Sequence, residues 1–293
     1  MYVIHDDNKY PFSKGILAKS LYQSGVPLEE AYEIVRVIAD DLEGEVDSVK
    51  ASRLKEMASE ELIRGGWRKE ERYYRLRETL TEIKRPMFIL IGGGPGVGKT
   101  TLATEVGRRL GIERIIGSDT VREIMRGILS RDLVPTLHES TFKAMDSLKT
   151  PYVTDKLIYA FNDQVNLVNR GLSSVVERGR KEGLDMILDG VHIVPGFLDS
   201  TLVKQPKYMF KYVIDVPDIE AHKRHFFTRE KGSLRDPRRY IDNFERIRRI
   251  HEYILEVARG SGVTILENAD LTEAIDEIVT DIYSRLDVEE NVI

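Results

Sequence analysis

The segment Gly93-Gly94-Pro95-Gly96-Val97-Gly98-Lys99-Thr100 constrains this chain more than any other. It lies just after the apolar run Met87-Phe88-Ile89-Leu90-Ile91. It opens a stretch, residues 101–110, whose apolar positions recur at helical spacing and which stops at Gly111. A strand, a turn of the form G-x-x-x-x-G-K-[ST] and a helix in that order predict a phosphate-binding loop. The chemistry needs each residue type. Glycines, with Pro95 and Val97 between them, let main-chain N–H groups wrap a polyphosphate, and Lys99 brings a point charge to its β and γ groups. Thr100, followed by Thr101 at the start of the helix, offers a hydroxyl to Mg²⁺. ATP and Mg²⁺ are the expected cofactors.

Such a loop sits at the edge of a parallel sheet. From residue 85 onward apolar runs alternate with helical patterns, which predicts strands at residues 87–91, 112–116, 185–189, 208–216 and 263–266. The clearest helices are expected at 121–129, 155–177, 219–229, 239–259 and 272–286. The expected class is α/β, a P-loop NTPase with a five-stranded parallel sheet of the nucleoside monophosphate kinase type, filling residues 85–293. Residues 1–84 carry no phosphate-binding glycines and read as a separate, mostly helical module. A hairpin through Tyr2-Val3-Ile4 and Tyr10-Pro11-Phe12 leads to a helix capped by Ser13, and further helices are expected at 27–42, 54–63 and 67–84.

Composition narrows the function. The formal net charge is -5, so nucleic acid is not an expected partner and any anion site must be locally basic. The absence of cysteine excludes disulfides, thiolate metal sites and a cysteine nucleophile. No apolar stretch is as long as a membrane span and the start lacks a signal-peptide pattern, so the expected location is the cytoplasm and no membrane partner is expected. Charged residues reach 32%, a composition that leans towards a heat-adapted protein.

Further candidates follow from their place at strand ends. Asp189 closes the apolar run Met186-Ile187-Leu188, where a carboxylate would face the loop and partner Thr100 at Mg²⁺. Asp119 and Arg122, in Gly117-Ser118-Asp119-Thr120-Val121-Arg122, set a base for an acceptor hydroxyl beside a guanidinium for an acceptor anion; a helix cap with an i,i+3 ion pair is the bland alternative. His192, in the loop after Asp189, is a candidate hydrogen-bond donor to substrate. Residues 224–249 are rich in arginine and interrupted by Gly232 and Pro237, the pattern of a lid that excludes water and brings cations to the transferred phosphoryl group. Arg229 and Arg235, beside the interruption, are the catalytic candidates there, and a solvated helical hairpin would explain other arginines in the run. No Asn-Lys-x-Asp tetrad for guanine occurs. The architecture that remains is a small-molecule or nucleotide kinase.

At this level the chain resembles the archaeal 2-phosphoglycerate kinases over essentially its whole length. The resemblance rests on Pro11-Phe12-Ser13-Lys14-Gly15-Ile16-Leu17, the loop from Gly92 to Thr101, Ser118-Asp119-x-x-Arg122-Glu123, Gly190-x-His192-x-x-Pro195 and the lid through Arg238-Arg239-Tyr240. It implies transfer of the γ-phosphate of ATP to 2-phosphoglycerate, giving 2,3-bisphosphoglycerate and ADP. It also implies that residues 1–84 form an ATP-cone, a regulatory nucleotide-binding module. Its usual Lys/Arg-rich hairpin is replaced here by His5-Asp6-Asp7-Asn8-Lys9, which leaves Lys14 as the best phosphate ligand. Two other readings stay open, a kinase of another small phosphorylated or polyol metabolite and a non-enzymatic ATP-dependent sensor. Subunit number is not legible, a homodimer being one arrangement open to the chain.

Overall fold

The computed structural model describes residues 1–6, 8–42, 47–83, 86–148, 154–198, 208–228 and 236–290. The chain divides into two compact units, one of Met1–Arg85, Arg108–Gly111 and Val279–Ile293, the other of Pro86–Gly107 and Ile112–Ile278. In the first, β1 (Tyr2–His5) and β2 (Asn8–Pro11) form the expected antiparallel hairpin. Helix α1 (Lys14–Gln23) starts where the Ser13 hydroxyl accepts the Ile16 N–H at 3.3 Å. After α2 (Leu28–Leu42) comes β3 (Ser48–Lys50), which pairs parallel with β1 and has no counterpart in the sequence reading, because three residues carry no period. The helices α3 (Ala51–Arg64) and α4 (Arg68–Ile83) complete the run, over a core that includes Leu21, Val35, Ile38 and Leu62. The chain end joins this unit: Tyr283 stacks on Tyr73 at 4.3 Å and donates to the Gln23 carbonyl at 3.3 Å. Burial pushes the Tyr283 phenol up to about 12.

The second unit carries β4 (Met87–Gly92), α5 (Lys99–Leu110), β5 (Ile115–Gly117), α6 (Ser118–Ile128) and 3₁₀ turns at Pro135–His138 and Thr141–Ser147. There follow α7 (Lys156–Glu182), β6 (Met186–Asp189), β7 (Tyr208–Asp215), α8 (Ile219–Thr228), α9 (Arg238–Ile241), α10 (Phe244–Gly260), β8 (Thr264–Glu267) and α11 (Leu271–Glu290), of which the residues from Val279 on, like Arg108–Leu110 of α5, count with the first unit. The five strands are parallel in the order β5-β6-β4-β7-β8. One apolar cluster holds Phe161, Val165, Ile247 and Ile254, another Phe88, Val168, Leu172 and Leu188. Strand register then builds the site. Asp189 pairs with both Ile91 and Gly117, and Gly92 with Val213, so the starts of the phosphate loop and of α6 and the Asp189 carboxylate share one sheet edge.

Two expected boundaries shift for local reasons. The second strand begins at Ile115 instead of 112, because the Ile112 N–H returns to the Gly107 carbonyl at 2.8 Å and finishes the preceding helix. The expected helix at 239–259 is broken at Asp242 and Asn243, where the Asn243 side chain donates to the Arg239 carbonyl at 2.9 Å. Among the described residues no helix is long and apolar enough to cross a membrane.

Candidate active site

Lys99 opens α5 and is buried to 8% exposure, its Nζ donating to the Gly94 carbonyl at 2.6 Å. The ammonium is thereby held inside the loop. One residue on, the Thr100 hydroxyl donates to Asp189 Oδ2 at 2.7 Å, and Asp189 is itself buried. These two side chains, far apart in sequence, are brought together as expected. Their donor set is one hydroxyl and one carboxylate, hard oxygens that suit Mg²⁺, an ion that takes one or two protein oxygens and keeps its waters.

The loop separates two clefts. One of about 670 Å³ is lined by Lys99, Thr100, Asp119, Arg122, Glu123, Arg126, Glu139, Ser140, Thr141, Asp189, Arg239 and Tyr240 among others. The second, of about 530 Å³, is lined by Gly96, Gly98, Lys99, Thr100, Thr101, His225, Asn268, Ala269 and Leu271. Gly96, Lys99 and Thr100 face both. In the larger cleft Arg122 Nε lies 3.3 Å from Asp119 Oδ1, and Arg122 Nη1 donates to the Glu139 carbonyl at 2.6 Å. Arg122 is thus fixed at two points, while the Asp119 side chain keeps 52% exposure and faces the cleft. A turn further along α6, Arg126 donates to both carboxylate oxygens of Glu123, at 3.0 and 2.8 Å.

His192 is in the network but not in the cleft lining. It is fully buried, with Nδ1 2.9 Å from the Ser118 hydroxyl and Nε2 3.0 Å from Gln164 Oε1, so its ring has no nitrogen left for a substrate. Gln164 in turn donates to the carbonyls of Thr136 and Glu139, at 2.6 and 3.1 Å. The expected substrate donor is therefore a strut, linking the start of α6 to the turn that holds Arg122. Burial lowers His192 to about 4, so it is neutral at physiological pH.

Of the lid candidates, Arg229 and Arg235 lie outside the described residues. Arg246 pairs with Asp146, Arg249 with Asp155, and Arg248 donates to the Val216 carbonyl at 2.7 Å; none of the three lines the larger cleft. Arg239 does, over the Phe142 ring at 5.9 Å.

Relatives of known name match nearly end to end. A 2-phosphoglycerate kinase of Thermococcus kodakarensis is 38% identical over 280 residues, 95% of each chain. One of Methanothermobacter thermautotrophicus is 39% identical over 92% of this chain and 89% of its own, and one of Pyrococcus furiosus is 36% identical over 97% and 93%. The chain belongs to the 2-phosphoglycerate kinase family. No family model matches it. Solved structures resemble it only distantly, as with a shikimate kinase of Acinetobacter baumannii at TM-score 0.43 and 14% identity over 71% of this chain and 98% of that one.

Two parts of this site carry no motif signal in the sequence. The first is the segment at 130–148, which supplies Glu139, Ser140 and Thr141 through 3₁₀ turns with no periodic signal. Its length without regular pattern inside a compact domain was the available clue. The second is a wall behind the phosphate loop. His222 Nε2 lies 2.7 Å from the Pro95 carbonyl, His225 Nδ1 3.0 Å from that of Gly96, and Asn268 donates to that of Val97 at 3.0 Å. His251 accepts the Gly94 N–H at Nδ1, 3.2 Å, and its Nε2 lies 2.8 Å from Asp215. Burial pushes His222 down to about 4 and lowers His251 as well.

Proposed function

We propose that this protein transfers the γ-phosphate of ATP to the free hydroxyl of 2-phosphoglycerate, giving 2,3-bisphosphoglycerate and ADP. The observation that carries the reading is the placement of Lys99 and Thr100 on both clefts at once, in a chain of this family. A nucleotide laid along the smaller cleft presents its terminal phosphate to the larger one, where in-line attack needs the acceptor. Asp119 takes the hydroxyl proton as the oxygen attacks phosphorus and the bond to the β-phosphate oxygen breaks. Arg122, fixed by Asp119 and Glu139, forks onto an acceptor anion, with Arg126 and Arg239 as further cations in the cleft. Lys99 stays with the charge that develops on the transferred group. Thr100 and Asp189 would hold Mg²⁺, which when bound neutralises phosphate charge and orients the β and γ groups.

Residues 1–84 form, in the same proposal, a regulatory ATP-cone-like module, with Lys14 exposed at the start of α1 as its phosphate ligand. The decisive experiment is ³¹P NMR of the protein with ATP, Mg²⁺ and 2-phosphoglycerate. New resonances of a bisphosphorylated glycerate and ADP are expected. ADP formed only with a different metabolite would move the acceptor, and no turnover with any acceptor would favour a sensor.

A further inference from the structure

A peptide unit is planar and trans, so the carbonyl of one residue and the N–H of the next point in opposite directions. Fixing a carbonyl on one side of a loop therefore turns the following N–H to the other. Behind the phosphate loop, His222, His225 and Asn268 engage the carbonyls of Pro95, Gly96 and Val97. The N–H groups that these peptides turn to the opposite side belong to Gly96, Val97 and Gly98. The carbonyl before these three, that of Gly94, is held by Lys99 and precedes Pro95, whose nitrogen has no hydrogen to present. Side-chain anchors thus fall on three successive peptides, each of which carries an N–H.

The chemistry of the anchors agrees. A carbonyl only accepts, so His222 carries its proton on Nε2 and His225 on Nδ1. The wall also packs closely on two of the loop glycines. Gly96 and Gly98 have φ of +87° and +90°, and a Cβ on the first would strike the Phe226 ring, on the second the Asn268 amide.

We propose that His222, His225 and Asn268 are positioning residues that preset the Gly96, Val97 and Gly98 N–H groups towards the phosphates of ATP. The proposal rests on the reading of the loop as the phosphate seat. Because His225 and Asn268 also line the smaller cleft, the test must separate phosphate from nucleoside. The probes are inorganic tripolyphosphate and ATP, titrated calorimetrically into the full chain and into His225→Leu and Asn268→Leu, both at half-buried positions. Each variant is expected to weaken both probes by the same factor, about five- to tenfold for one lost hydrogen bond. In turnover the ATP KM should rise while the acceptor KM holds. His225→Asn, whose amide nitrogen takes the place of Nδ1, should restore binding to within about twofold.

Weaker ATP binding with tripolyphosphate unchanged would make these side chains nucleoside contacts and overturn the proposal, as would unchanged binding of both probes. Wild-type protein that fails to bind tripolyphosphate would remove the phosphate-seat reading and this inference with it. If one leucine variant melts far below wild type, the other decides.

Discussion

Behind the phosphate loop, His222, His225, His251 and Asn268 meet main-chain groups of residues 94–97 through hydrogen bonds, and His222 and His251 are fully buried. In front of it, the larger cleft holds Asp119 with Arg122 and Glu123 with Arg126, ion pairs whose carboxylates are more than half exposed. The wall can hold one geometry because its partners are backbone groups that do not leave. The cleft pairs differ in that their carboxylates reach water, so a ligand anion can approach the arginines beside them. Binding order and specificity should therefore belong to the cleft, and loop shape to the wall.

Lys99→Ala tests the point where the regions meet and should have the largest effect. Turnover should fall by at least about 10³-fold, the scale for losing a preset charge at a reacting group, with the fold kept. Activity within tenfold of wild type would end the phosphate-loop assignment. Asp119→Asn should lower kcat by about 10²-fold while ATP KM holds, because an amide keeps the shape but takes no proton. A loss confined to KM would leave Asp119 only as the partner that orients Arg122.

Arg122→Lys should raise the acceptor KM about tenfold, since lysine keeps the charge but loses the fork, and should leave ATP KM unchanged. Equal rises for both substrates would show that the cleft and the wall are not separable as described. The smallest effect belongs to the wall and the strut. His192 and His222 titrate at about 4 in the folded protein against an ordinary 6.5. Between those values the unfolded chain binds protons that the native one does not, so stability falls as pH drops from 6.5 to 4. Each histidine contributes a slope of about 1.4 kcal/mol per pH unit within the window, and the contribution levels off below it. His222→Gln should flatten the acid limb of melting temperature against pH, and an unaltered slope would mean that His222 is not held neutral.

The loop, Asp189 and the Asp119–Arg122 pair were legible because each follows a local rule. Glycines, lysine and threonine at fixed spacing define the loop, and a carboxylate after an apolar run defines a strand end. Helix ends with caps were legible on the same footing, as at Ser13. His192 shows the limit. Its position in the loop after Asp189 placed it near the site, but only burial and the contacts to Ser118 and Gln164 reveal that it braces the cleft from behind.

Sequence by itself determined the parallel α/β class and the phosphate-loop motif, since hydrophobic period and motif spacing act over a few residues. Tertiary structure alone decided that His222 and His225 on α8, His251 on α10 and Asn268 after β8 converge on one loop, and that Arg239 rather than Arg246, Arg248 or Arg249 lines the cleft. The physical reason is that a parallel sheet brings the ends of strands distant in sequence to one edge. Which face a side chain takes there depends on packing and register, and no local pattern in the chain encodes that choice.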